Sequence, residues 1–305
     1  MVNKINRSLG GCKKKNFWKK YYGSSAGDVV FNLLNYLFFA ALFLVCLYPF
    51  YYVVKTSLIV QDASSGSVVT KLSFESYAIV FSNNGLVRSF FLSVGVTLVY
   101  SALSVLVTVL SAYPLTKRDL KGKKFIGVFL LISMLFSGGL IPYYLMIKQF
   151  GLFNNVLVYL FVGLVNPFYV IIVKNFISSI PNEIFESARI DGASEARIVF
   201  QIVIPLSGPI IATIALWAGV DKWNDWMTGV LYMQNSKDLW MIQQFLRNIL
   251  ITTSAGQGVV DPDIMAMADS VKMAAIVISI LPIILVYPFA QKYFVKGVLL
   301  GSVKG

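Results

Sequence analysis

The sequence predicts an all-α membrane protein with six transmembrane helices. Its mean hydropathy is +0.73, and 13% of its 305 residues are charged, against roughly 25% in soluble domains. A bilayer core about 30 Å thick requires roughly 20 apolar residues per helix. Windows of that length occur at 29–54, 90–116, 125–147, 156–178, 203–231 and 271–295.

The orientation of these spans follows from the basic residues. Residues 1–27 form a basic N-terminal arm without an acidic residue, and residues 28–305 form the six-span domain. Lys and Arg beside apolar spans favour the cytoplasmic side. The first window is too long for a signal peptide and is predicted to be retained. An inside N-terminus and an even span count place both the 117–124 segment, KRDLKGKK, and the C-terminal tail in the cytoplasm.

The outer connections are then 56–89, 149–155 and a long segment at about 232–270. Several spans contain helix-breaking residues. Ordinary kinking explains them, because neighbouring helices can satisfy the freed backbone groups. Broken helices that line a cavity are the alternative. The residues concerned are Pro49, Pro114, Pro142, Pro167, Pro282 and the Gly138-Gly139 pair.

Composition argues against several classes of function. The chain has no His and two Cys, which disfavours zinc sites, haem ligation, His-based catalysis and a disulfide scaffold. We therefore expect no catalytic residues and no metal site. The net charge of +12 is explained by cytoplasmic Lys and Arg more simply than by nucleic-acid binding.

A charged loop at about 180–202 interrupts the apolar windows. Pro181 suits a first helical turn, Gly192 is a natural left-handed stop, and Ser194 is a good cap for a second short helix. The loop is therefore predicted to form a helix–turn–helix element on the cytoplasmic face. Helical spacing of Ala188, Gly192 and Ala196 predicts a stripe of nearly bare backbone. An amphipathic connector at the lipid interface is the alternative.

The loop resembles the cytoplasmic motif of ABC importer permeases, E-A-A, three residues, Gly, nine residues, then I-x-L-P. The spacing is intact, with Ser187 and Ile204 as the two departures, and the matches are Glu186, Ala188, Gly192, Ile202 and Pro205. Further segments resemble the oligosaccharide branch of the carbohydrate-uptake importers: FSGGLIPYYLMIKQFGLFNN (136–155), KNFISSIPNEIFESARIDGAS (174–194), WNDW (223–226) and VKGVLLGSVKG (295–305).

The resemblance implies the type I ABC importer permease fold in a bacterial cell membrane. It also implies a coupling helix between spans 4 and 5 that docks in a groove of a separate ABC ATPase subunit, present as a pair. The implied further partners are a second related permease, an extracytoplasmic sugar-binding protein and a complex or acidic oligosaccharide. The implied coupling residues are Glu186, Ser187, Ala188, Arg189, Asp191, Gly192, Ala196, Ile202 and Pro205.

The sequence contains no G-x-x-x-x-G-K-[ST] phosphate loop. The chain is therefore predicted to be a transport subunit without enzymatic activity and without a bound cofactor. ATP and Mg²⁺ would be bound by the partner ATPase.

A path for sugar needs hydrogen-bonding groups and flat aromatic faces. The residues predicted to line it are Tyr143, Asn166, Tyr169, Trp223, Asn224 and Trp226. Interfacial anchoring explains the Trp residues equally well, and a hydrogen bond between helices explains Asn166. Asp221, Lys222 and Asp225 either pair along one helix turn or flank the outer end of the path.

Three rival functions remain open at this point. An ion-coupled secondary transporter of a small polar solute requires buried carboxylates, which the spans nearly lack apart from the 221–225 group. A membrane enzyme requires a nucleophile–base pair or metal ligands. A purely structural scaffold would be excluded by transport that depends on this chain.

Overall fold

The structure is a computed structural model that describes residues 26–62, 69–255 and 269–302. The chain divides into two compact units, Met1–Lys55 and Thr56–Gly305. Most of the predicted basic arm lies outside the described residues, as do the last three residues of the tail and residues 256–268 of the long outer segment.

The first unit contains most of helix α1, Ala26–Ser57. The helix is apolar on every side, which is the pattern of a membrane span. It includes the predicted window 29–54 and carries Pro49 inside it.

The second unit begins with a hairpin that the sequence did not predict. Strand β1 (Ile59–Asp62) pairs antiparallel with β2 (Val69–Leu72). The helices that follow are α2 (Glu75–Ser82), α3 (Asn84–Ala112), α4 (Lys123–Leu135), α5 (Leu140–Gln149), α6 (Leu157–Phe161), α7 (Pro167–Ile177), α8 (Asn182–Ile190), α9 (Glu195–Ile198), α10 (Ile204–Leu206), α11 (Gly208–Trp223), α12 (Met227–Tyr232), α13 (Ile242–Ala255) and α14 (Asp269–Ser302).

Three helical stretches among the described residues are each long and apolar enough to cross a membrane: Gly27–Ser57, Asn84–Thr116 and Asp269–Pro288. Two bent pairs could each count as one broken span. The pair α4 and α5 bends by 111°, and the pair Glu195–Leu206 and α11 bends by 84°.

The predicted window 156–178 holds two short helices instead of one continuous helix. Helix α7 has 11 residues, which span only about 16 Å. The break has a local cause, because Gly163 adopts a φ of +77° and Asn166 and Pro167 begin a new helix. The prediction of a nearly all-helical membrane protein is confirmed, with the hairpin as the exception.

The most extensive helix packing brings α3 against α11. A Cβ added at Gly219 would lie 3.0 Å from Ser101 Oγ, so this glycine allows the two backbones to approach. A second buried cluster joins α2, α3, α13 and α14 around Val80, Leu86 and Ile242. These contacts hold the elements that carry the two sites described next.

Candidate functional site

The charged loop has the helix–turn–helix backbone that the sequence predicts. Helix α8 starts after Pro181, and Gly192 adopts a left-handed φ of +76°. The Ser194 hydroxyl then accepts a hydrogen bond from the Arg197 amide at 3.3 Å, which caps α9. A helix–turn–helix element is therefore confirmed.

The predicted stripe of bare backbone does not form. Helix α8 ends before Gly192, so the three small residues do not share one helix. Ala188 is 7% exposed and faces the core of the chain itself. Gly192 and Ala196 are exposed in the turn and in α9, respectively.

The outward face of the loop carries charge and one large apolar side chain. Its charged and polar members are Glu186, Ser187, Arg189 and Asp191. Ile190 stands among them with 85% exposure. The family motif does not include Ile190, and only its position on the polar side of an amphipathic helix could have indicated it.

The carboxylate of Glu195 ties the loop to the end of α3. It accepts hydrogen bonds from the Tyr113 hydroxyl and from Lys117 Nζ at 2.6 Å, and Arg189 Nε lies 3.4 Å away. The hydrogen bonds from Lys117 and Tyr113 hold the pKa of the Glu195 carboxyl below its ordinary value. Sequence reasoning missed this contact, because Lys117 and Tyr113 lie 78 and 82 residues away from Glu195 in the chain.

A cavity of about 1170 Å³ lies between the charged loop and the 113–123 segment. Five cationic and three anionic side chains line it, together with apolar residues such as Ile177 and Phe185. Lys123 Nζ donates to the Lys117 carbonyl at 3.0 Å, which orders the far wall. The surface beside the loop is therefore concave and rich in charged side chains.

Beyond α9 the chain passes through a π-helical turn, Val199–Val203. Ile202 lies within this turn, and Pro205 follows it in α10. The helix then bends by 84° into α11. Sharp bends commonly occur at π-turns and prolines, so the π-turn and Pro205 account for the bend between the loop and α11.

A second polar group of residues lies where α3, α7 and α11 meet. Lys222 is buried, with 5% side-chain exposure, and binds Asp225 Oδ2 at 2.9 Å. Its ammonium lies 4.3 Å from the centre of the Tyr100 ring, and the Tyr100 hydroxyl donates to the Gly163 carbonyl at 2.8 Å. The predicted pairing along one helix turn is confirmed for Lys222 and Asp225.

Asp221 behaves differently from its neighbours. Its side chain is exposed, and Oδ2 accepts a hydrogen bond from the Tyr169 hydroxyl at 2.9 Å. One helical turn earlier, Trp217 stacks on Phe168 with ring centres 6.0 Å apart and a 23° tilt. An anionic group and an aromatic surface thus adjoin each other.

The structure separates the residues predicted to line a sugar path. Trp223 is 4% exposed and donates its indole N–H to the Ser279 carbonyl at 3.0 Å, a placement that favours packing. Asn166 caps α7 by accepting from the Phe168 amide at 3.0 Å. Tyr169 is buried, but its hydroxyl reaches Asp221.

The other three predicted path residues reach the surface. Tyr143 is 38% exposed. Asn224 is exposed and donates to the Val220 carbonyl at 2.9 Å. Trp226 lies under the Arg247 guanidinium, which is 4.3 Å from its ring centre. In the described residues, no group of three or more His, Cys, Asp or Glu is placed to hold a metal ion.

Comparison with known protein families decides the class of this molecule. The model of the family described as "Binding-protein-dependent transport system inner membrane component" matches residues 21–300. The chain belongs to this family of ABC importer permeases. It is therefore a multi-pass membrane transport subunit, and the ion-coupled transporter is no longer a competing assignment.

Related permeases match over nearly the whole chain. The polygalacturonan/rhamnogalacturonan transport system permease protein YtcP of Bacillus subtilis (strain 168) is 40% identical over 287 residues, covering 90% of this chain and 99% of that protein. Protein LplC of the same strain is 39% identical over 290 residues, covering 93% and 98%.

A solved structure shares the fold of this permease. It is a bacterial ABC transporter involved in the import of the acidic polysaccharide alginate, with a TM-score of 0.79 and 26% identity. The match covers 89% of this chain and 99% of that one. The type I importer permease fold, inferred from the charged loop and its flanking segments, is confirmed.

Proposed function

We propose that this permease forms half of a membrane path for oligosaccharides and that a separate ATPase drives it through the loop at 186–205. The observation that carries the proposal is the exposed face of that loop. Glu186, Ile190 and Gly192 project from a helix–turn–helix whose opposite face is anchored in the core. A surface that is rigid on one side and open on the other suits docking of a second protein.

The energy source lies outside the chain. The sequence has no phosphate loop, so ATP and Mg²⁺ would be held by the ATPase pair. One loop per permease and two ATPase subunits require a second permease to complete the complex. The family description implies an extracytoplasmic binding protein that delivers the substrate.

The loop would transmit the ATPase cycle as a shift between two conformations. When ATP closes the ATPase pair, the docked loops move with it, and the spans change from an inward-open to an outward-open path. The contact must differ in free energy between the two states, because equal docking in both would shift nothing. The π-turn and the bend before α11 give the moving loop a joint.

The substrate class is supported by the relatives. The names of the similar proteins refer to polygalacturonan, rhamnogalacturonan and alginate, so oligosaccharides derived from such polysaccharides are the proposed cargo. The termini and the charged loop would lie in the cytoplasm of a bacterial cell, in keeping with the cluster of Lys and Arg at 117–124.

Charge reversal on the docking face tests the proposal. Glu186→Lys should leave the permease in the membrane and abolish uptake of labelled oligosaccharide, while ATP hydrolysis by the complex no longer responds to substrate. Glu75→Lys is the matched control, since Glu75 is exposed at the start of α2, far along the chain from the loop.

A second pair of variants separates docking from folding. Gly192→Asn tolerates the left-handed turn and should retain most transport. Gly192→Trp adds a bulky ring in open space together with backbone strain at a φ of +76°, and it should uncouple the ATPase in a permease that is inserted in the membrane in the same amount as the Gly192→Asn variant. Normal uptake by both Glu186→Lys and Gly192→Trp would remove the loop from the mechanism.

A further inference from the structure

The exposed carboxylate of Asp221 is unusual for its position. It lies within the predicted span 203–231, and its side chain is open at the surface of the chain. A charged group facing lipid is costly, and such residues normally face a water-filled path or another protein. Asp221 therefore marks a surface of α11 that does not face lipid.

The carboxylate is held in a fixed orientation. Tyr169 is 5% exposed, and its hydroxyl donates to Asp221 Oδ2 at 2.9 Å. A carboxylate has about four acceptor positions on its two oxygens, so a single tyrosine leaves capacity for further donors. Adjacent hydroxyl groups of a sugar ring are donors of the right kind.

An aromatic surface adjoins this carboxylate. Phe168 is 43% exposed and stacks with Trp217, which precedes Asp221 by one turn of α11. The face of an aromatic ring carries partial negative charge, and the C–H groups on one face of a sugar carry partial positive charge. The pair thus offers a platform for the apolar face of a sugar next to an acceptor for its hydroxyls.

The electrostatics of this surface favour an uncharged ring. The neighbouring cation, Lys222, is buried and committed to Asp225 at 2.9 Å, and it also faces the Tyr100 ring. A uronate carboxylate placed beside Asp221 would meet a like charge without a counter-ion from Lys222. Like charges at close range are unfavourable.

We infer that Asp221, Tyr169, Trp217 and Phe168 form a subsite of the path that takes an uncharged sugar unit, with its hydroxyls on Asp221 and its C–H face on the aromatic pair. The inference rests on the proposed function and adds the charge preference of this half of the path. In an acidic oligosaccharide, the carboxylates would contact other parts of the path.

Saturation-transfer difference NMR on the purified permease complex in mild detergent tests the subsite directly. The probes are methyl α-galactopyranoside and its uronate counterpart, which differ only at carbon 6. We expect the neutral probe to receive at least tenfold more saturation than the uronate probe, mainly at its C–H face. Trp217→Leu keeps an apolar side chain and should reduce that signal severalfold.

Asp221→Asn should narrow the difference between the two probes to less than about threefold, because it removes the like charge and keeps an acceptor for Tyr169. Asp238→Asn is the matched control, since Asp238 is exposed and pairs with Arg88 in a different part of the chain. Equal saturation of both probes in the wild type, or signals indifferent to Asp221→Asn and Trp217→Leu, would overturn the subsite.

Uptake assays run in parallel distinguish this inference from the function on which it rests. If ATP-driven uptake occurs but the probe signals are unchanged by Asp221→Asn, the subsite is overturned and the proposed function stands. Probe signals that depend on Asp221, without ATP-driven uptake of any oligosaccharide, would support the subsite and overturn the proposed function.

Discussion

Removing the carboxylate charge of Glu195 should loosen the charged loop from α3 without unfolding the permease. The side chain accepts hydrogen bonds from Tyr113 and Lys117, two residues at and just beyond the C-terminal end of α3. Glu195→Gln keeps the shape of the side chain and removes its charge. The loop would then still dock on the ATPase but transmit its movement poorly.

The structure bounds the size of this effect. Hydrogen bonds to charged groups contribute about 1.5–3 kcal/mol to stability when they are buried away from water. Exposed ion pairs contribute about 0.2–1 kcal/mol. Glu195 is 57% exposed and Lys117 is 22% exposed, so the lower range applies to the pair. We call the contacts of Glu195 with Tyr113 and Lys117 the tether. Together they stabilise the attached position of the loop by about 1–2 kcal/mol, which corresponds to a factor of roughly 5–30 in the population of the attached loop.

The assay is the number of sugar molecules imported per ATP hydrolysed, measured with the reconstituted complex. We expect Glu195→Gln to lower this ratio by about fivefold or more while ATP hydrolysis continues. Glu75→Gln, an exposed change outside the loop, should leave the ratio unaltered. The exchange Lys117→Glu with Glu195→Lys should restore part of the ratio, because it re-forms the ion pair in reverse.

Acidity gives an independent check on the same tether. A carboxyl whose pKa is lowered in the folded protein contributes stability that is present above its unfolded pKa and is lost as the pH falls through the folded value. The ordinary value is 4.5, and the folded value lies below it. The import ratio should therefore not change with pH near neutrality, where Glu195 is fully charged, and should fall only below pH 4.5 as the carboxyl becomes protonated. An unchanged import ratio for Glu195→Gln, in a folded complex, would refute the reasoning.

Three further changes test buried contacts made by residues 222–229, at the end of α11 and in α12. Trp223→Phe removes the hydrogen bond to the Ser279 carbonyl and should lower thermal stability by about 1–2 kcal/mol without altering the KM for sugar, whereas a raised KM would place Trp223 in the path. Lys222→Met leaves the partly buried Asp225 charge, 16% exposed, without its cation and should cost about 3 kcal/mol; adding Asp225→Asn should recover part of this loss, and no recovery would contradict the pairing. Gly229→Ala places a methyl group against the buried Gln244 side chain and should lower stability by about 1–3 kcal/mol. Adding Gln244→Ala should reduce this loss. An unchanged melting temperature of Gly229→Ala in detergent would contradict the close packing at this position.

The elements that the sequence predicts well are those determined by local chemistry. Pro181, Gly192 and Ser194 each act on their own backbone or on a neighbour within three residues, and the loop follows them. Uniform apolarity likewise identifies the span of α1 without reference to any partner. The pairing of Lys222 with Asp225 was also accessible, because the two residues lie only three positions apart in sequence.

The features that escaped prediction depend on contacts distant in sequence. Glu195 gains its role from α3, and Trp223 is buried by α14 through Ser279. Ala188 faces inward because α8 lies on the core with Phe185, a fact that spacing alone does not reveal. The hairpin β1–β2 lies in a polar segment without regular alternation, so no periodic pattern indicated it.

Photo-crosslinking from Ile190 in native membranes tests the central claim most directly. Ile190 is 85% exposed on the proposed docking face, so a photoreactive residue placed there should touch whatever protein the loop grips. We predict that mass spectrometry of the product identifies a phosphate-loop ATPase, and that the same probe at Phe91, which is 67% exposed on α3, captures no ATPase. A product from Ile190 that contains lipid or another permease, with the ATPase absent although the complex is active, would contradict the coupling role of this loop.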